Sequence, residues 1–164
     1  MATSSLPVRR LHPATLVLAG GLVAGTFDIV YACVFWALRR DVPVERVLQS
    51  VAAGLLGKAS FEGGVATATL GVALHYLIAT SMSFTYYLVA QRWSLLRERP
   101  VLAGAAYGLL LYVIMNHLVV PLSRAGPGSK DPLWIGLSIV GHALLIGVPI
   151  ALFTRRALSR AAAI

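Results

Sequence analysis

Apolar residues run almost unbroken along four stretches of the chain: Pro13 to Leu38, Val65 to Ala90, Pro100 to Pro121 and Leu133 to Phe153. At about 1.5 Å of rise per residue, each can cross a hydrocarbon core of about 30 Å. Between the first two stretches the pattern changes. Val44, Val47, Leu48, Val51, Ala52, Leu55 and Leu56 recur at helical spacing, while Glu45, Arg46, Gln49 and Ser50 share the other side. Asp41 and Pro43 supply a start signal and Gly57 a stop. Residues 43–57 therefore predict an amphipathic helix, too short to span, lying along the interface as a lid over one end. The following GKASFEGG reads as a turn.

The expected fold is an all-α integral membrane protein. Its four transmembrane helices fall at 13–38, 65–90, 100–121 and 133–153, with the interfacial helix after the first. A polar basic tail, residues 1–12, precedes this membrane domain of residues 13–154, and a basic tail, 155–164, follows it. Pro149 removes one backbone bond from the last helix and predicts a kink. Arg9 and Arg10 ahead of an apolar run imitate a secretory signal, but the run continues to Leu38 without a small-residue cleavage pattern. An uncleaved first span is expected.

The spans carry an internal repeat. LGVALHYL, Leu70 to Leu77, returns as LSIVGHAL, Leu137 to Leu144, so that His75 aligns with His142. LAGGLVAG from Leu18 aligns with VLAGAAYG from Val101, setting Gly21 and Gly25 against Gly104 and Gly108. Two copies of a helical hairpin are expected, related by an axis along the membrane normal. The four glycines form helix-packing faces, since small residues at this spacing let backbones approach closely in lipid.

Composition agrees: 58% of residues are hydrophobic and 12% charged, which excludes a soluble domain with a polar shell. The net charge of +8 does not point to nucleic acid, because the basic residues gather at the ends of the apolar runs, beside lipid headgroups. Eight of the 14 Lys and Arg residues fall on the side of the termini, a bias toward cytoplasmic termini. Trp36, Trp93 and Trp134 stand at span ends as interfacial anchors. The partners to expect are the lipid bilayer and a membrane-protein partner or a second copy of the chain. The single cysteine, Cys33, excludes an internal disulfide or a cysteine zinc cluster.

Three ionisable residues lie inside the spans at one level. Counted from the first loop, Asp28, His75 and His142 each come out roughly 13 to 15 Å deep. Charge at the bilayer centre costs at least about 2.5 to 3.5 kcal/mol on insertion scales, so the three are expected to face inward as a buried polar cluster. They could tie helices together, carry protons, hold haem or a transition metal between the two imidazoles, or bind a lipid or small hydrophobic ligand. Asn116 and His117 point about 100° apart and do not form one site. No nucleophile, base and orienting acid stand at a recognisable spacing, and neither HExxH nor a glycine fingerprint occurs, so no catalytic residue is assigned.

The segment LAGAAYGLLLYVIMNHLVVPL, Leu102 to Leu122, the histidine following small residues in the second span, and the pair Gly141 and His142 resemble the YagU-like bacterial inner-membrane proteins. The resemblance covers the four spans and not the amphipathic segment, Asp28 or GLLGKASFEGG. It implies a location in the bacterial inner membrane and no biochemical activity.

Overall fold

The computed structural model describes residues 12–161. Four helices are long and apolar enough to cross a membrane, as expected of a multi-pass membrane protein. Helix α1 is Pro13–Arg40 and α2, the amphipathic helix, is Val44–Leu56. A 3-10 segment, Gly57–Glu62, leads into α3, Gly64–Arg92. A short helix α4, Leu95–Glu98, precedes α5, Pro100–Leu122. Helix α6 begins as Pro132–Gly141 and continues through His142–Gly147 to Val148–Ala161. Proline opens α1, α5 and α6, where its missing N–H would have had no partner in any case. The Asp131 carboxylate caps α6, accepting from the N–H groups of Leu133 and Trp134 at 3.0 and 3.4 Å.

Two of these helices widen just ahead of a proline. Met115–Val119 in α5 and His142–Gly147 in α6 are π-turns, ending one residue before the pairs Val120–Pro121 and Val148–Pro149. A proline ring presses on the carbonyl four residues earlier. Here the preceding valines donate five residues back, Val120 to Met115 and Val148 to Ala143. The expected disturbance at Pro149 thus takes the form of a widened turn.

Helix α1 lies against both α3 and α6, and α5 lies against α6, whereas α3 and α5 scarcely approach each other. Glycine sets each close pair. A Cβ on Gly21 would meet Thr80 Cα at 2.6 Å, and one on Gly25 would meet the Tyr76 ring at 3.2 Å. A Cβ on Gly104 would lie 2.6 Å from the Gly147 carbonyl oxygen, and one on Gly108 would lie 2.7 Å from Ala143 Cα. Thr80 and Tyr76 are the residues that the histidine alignment pairs with Gly147 and Ala143. The α1–α3 and α5–α6 contacts therefore use matching positions. The other pairs do not match: α1 closes on α6, but between α3 and α5 runs an apolar groove of about 1060 Å³. Tyr107 reaches across its floor, meeting the Tyr86 ring and donating to the Met82 carbonyl at 2.9 Å.

Between the middle of the bundle and the chain termini, Ala24, Tyr86, Leu111, Ile146, Ile150 and Ala151 form a buried cluster. Nearer the termini Leu16, Val17 and Ala157 form a second.

The helices and turns do not all follow the bounds of the apolar runs. Helix α6 does not give way to a tail at 155; it runs on because Ile150, Thr154, Ala157 and Leu158 keep one side inward while Arg155, Arg156 and Arg160 face out. GKASFEGG is mostly a 3-10 turn with Ser60 buried. On α2 the polar side is not wholly solvated. Gln49 is buried and its amide donates to the Gly64 carbonyl at 3.1 Å, docking α2 on α3. Of the tail 1–12, only His12 lies within the described residues, where its Nδ1 accepts from Ala14 N–H; residues 162–164 of the C-terminal tail also lie outside them.

Candidate functional site

Asp28 of α1, His75 of α3 and His142 of α6 line one cavity of about 330 Å³. It extends from the middle of the bundle toward the end away from the termini. There α2 covers it with Val47, Ser50, Val51 and Gly54, and the segment after α5 adds Ser123 and Ala125. The Arg124 N–H donates to the Gly54 carbonyl at 3.0 Å, fastening that segment to α2. Beyond it, a vestibule of about 410 Å³ shares Trp36, Val47, Ser50 and Trp134 with the cavity and is bordered by Gly126, Pro127, Gly128 and Ser129. Toward the termini the buried Tyr86 and Ile150 cluster closes the space.

Each histidine has one ring nitrogen committed to a backbone carbonyl. His75 Nε2 lies 2.8 Å from the oxygen of Gly25 on α1, and His142 Nδ1 lies 2.9 Å from that of Ser138 on its own helix. A carbonyl only accepts, so both nitrogens carry the proton. In the neutral rings the other nitrogens, His75 Nδ1 and His142 Nε2, are left as acceptors. Each ring also stands edge-on to a tyrosine, His75 to Tyr76 and His142 to Tyr112. The bond from His75 joins α3 to α1, whereas that from His142 joins nothing outside α6.

Two polar residues, Asn116 and Ser138, join this wall that sequence reasoning did not bring to it, and a third, Tyr31, stands beside Ser138 outside the lining. Asn116 lines the cavity while its amide nitrogen donates to the Tyr112 carbonyl at 3.0 Å; His117 is not among the lining residues. Ser138 is 3% exposed, lines the cavity, and its hydroxyl has no hydrogen-bond partner. The Tyr31 hydroxyl sits beside Ser138 without forming a well-shaped bond to it, and is likewise unpartnered. Ser138 is one turn before His142 and Tyr31 one turn after Asp28, so helical spacing puts each on the side of a site residue without showing whether its hydroxyl has a partner. At the loop end, Trp134 stacks on Tyr31 at 5.4 Å and meets Trp36 at 5.1 Å. Trp93 stands apart, exposed at the other end.

No Lys or Arg lines the cavity. Among the described residues the ion pairs are those of Asp131 with Arg39 and Arg40, at 3.3 and 3.9 Å. Burial pushes the Asp131 carboxyl up, but the N–H groups of Trp134 and Leu133 and the two guanidiniums outweigh it and hold the group below the ordinary carboxylate range. Among the described residues, no three His, Cys, Asp or Glu side chains come together in a way that would hold a metal ion.

Among the described residues, fold and cavity together define a helical bundle of four apolar spans enclosing a largely apolar space with a few polar side chains on its wall. No family model matches the chain, nor does any curated protein or solved structure.

Proposed function

We propose that the chain is a multi-pass protein of the bacterial inner membrane, termini cytoplasmic, that holds a small amphipathic molecule between its helices. The observation that carries this reading is the convergence of Asp28, His75, His142 and Asn116 on one largely apolar cavity, whose wall also holds the buried Ser138. A few polar groups set in apolar walls is the usual make-up of a small-molecule site. A buried hydroxyl without a partner is costly to keep unless something else satisfies it. The cavity is one-sided, covered by α2 at the loop end and stopped by packed side chains toward the termini. That favours holding a molecule over passing protons from face to face.

In this reading α2 is an interfacial lid, and the matching glycine contacts reflect a duplicated hairpin whose second copy has drifted away from twofold packing. The kinship with YagU-like proteins remains part of the proposal and rests on Leu102 to Leu122, the span around His75 and the Gly141–His142 pair. The test is native mass spectrometry of protein in lipid nanodiscs. Wild type should carry a one-to-one adduct that Ala32→Phe, which fills the cavity, lacks. Spectra in which both proteins appear only at their own adduct-free masses would overturn the reading.

A further inference from the structure

Resting on that reading, we infer that the cavity selects an organic ammonium: a molecule with a cationic, donor-rich head and an apolar body. The inference follows from which half of each hydrogen bond the protein has already used. His75 and His142 spend an N–H group on the carbonyls of Gly25 and Ser138, so each ring in its neutral form has only a lone pair left to offer. The Asn116 amide spends an N–H on Tyr112, leaving its carbonyl oxygen unused. Asp28 adds a carboxyl group with no Lys or Arg beside it, although the chain as a whole carries a net charge of +8. Four side chains from α1, α3, α5 and α6 thus carry acceptors on the wall of one space, and no Lys or Arg lines it.

A guest that brings its own acceptors would leave these groups unmatched in a poorly hydrated interior. An ammonium group brings three N–H donors and the missing positive charge, and inside the bundle a carboxylate attracts it more strongly than in water. The indole rings of Trp36 and Trp134 on the same wall add faces that favour a cation over a neutral head of equal size. The rest of the lining, including Ile29, Ile78 and Ile146, is hydrocarbon and suits the guest's body.

The experiment compares three probes of one shape, hexylammonium, 1-hexanol and hexanoate, added to the full chain in zwitterionic nanodiscs. The signal is Trp36 and Trp134 fluorescence in a Trp93→Phe background. Hexylammonium should give a saturable change with a Kd about tenfold or more below that of 1-hexanol, and hexanoate should give none. Asp28→Asn, which keeps the volume, should bring the ammonium and the alcohol to within about threefold of each other. The wild-type comparison needs no variant to fold. An ammonium that binds no tighter than the alcohol overturns the inference, as does a preference that survives Asp28→Asn. Saturable binding of the alcohol or of hexanoate would in those cases leave the cavity's role as a binding site standing. If none of the three probes binds and the nanodisc protein carries no adduct, both fail together.

Discussion

The imidazole of His75 on α3 donates to the backbone carbonyl of Gly25 on α1 across 2.8 Å. The same glycine lets the two helices approach closely enough for that bond to form, because a Cβ there would press on Ala79 and Tyr76. Packing and hydrogen bonding are thus one feature here. His142, its partner in the sequence repeat, makes no such tie.

That difference sets the first prediction. His75→Ala should destabilise the bundle by about 0.6 kcal/mol and at most about 1.7 kcal/mol, the average and the maximum for interhelical hydrogen bonds in membranes. His142→Ala removes only a bond within α6 and should cost less. Reversible unfolding in mixed micelles compares the two, and equal losses would show that the His75 bond does not hold α3 to α1.

Glycine substitutions should divide by contact. A methyl at Gly108 would run into the backbone of His142 and Ala143, whereas one at Gly136 would meet nothing within 4 Å. Gly108→Ala should lower the melting temperature and loosen α5 from α6. Gly136→Ala should be neutral or stabilising, by up to about 0.5 to 1 kcal/mol, from the helix preference of alanine alone. Thermal melts in detergent decide it, and the same response from both variants would refute the close contact.

Buried hydroxyls should divide by partner. Ser83 is fully buried and donates to the Val17 carbonyl at 2.7 Å, so Ser83→Ala should cost about 1 kcal/mol. Thr154 is 1% exposed and its hydroxyl has no partner. Thr154→Val should leave stability unchanged or raise it, since it removes an unsatisfied group and keeps the shape. A marked loss in Thr154→Val would mean that the hydroxyl is satisfied by something bound.

Acid should act on the Asp131 cap. Its carboxyl is held below the ordinary 3.8, so the group stabilises the folded chain fully above that value. The contribution is lost as pH falls from there through the lower folded value. The stability gap between wild type and Asp131→Asn should therefore be constant near neutrality and shrink below about pH 4. Chemical denaturation across a pH series measures the gap, and a gap that widens on acidification would reverse the assignment.

The spans were legible because hydropathy changes sharply where they start, at Pro13, Pro100 and Pro132, and the amphipathic α2 because Val47, Val51 and Ala52 keep helical spacing. The end of α6 was not. Arg155 and Arg156 read as the exit from the membrane, although Thr154, Ala157 and Leu158 continue the inward face established by Ile150. Depth counting put Asp28, His75 and His142 at one level, and all three line the same cavity. Spacing alone did not reveal Ser138 or Tyr31, because serine and tyrosine are ordinary in such helices and only the neighbouring helix shows that their hydroxyls lack partners. The gap between α3 and α5 left no mark in the chain. Leu102, Ala106 and Leu110 on its wall would read the same whether they faced lipid or another helix.

Gly21, Gly104 and Gly108 lock each hairpin backbone to backbone, and α1 serves both hairpins as a common spine. Where the fourth seam would be, the described residues leave an open groove, and Ile78, Met82, Met115 and Val119 form the single thickness of side chains between it and the inner chamber. The width of that chamber is thus not a property of the polypeptide alone: lateral pressure in the surrounding leaflet bears directly on it, and a thinner or more fluid membrane would loosen its grip on whatever lies inside.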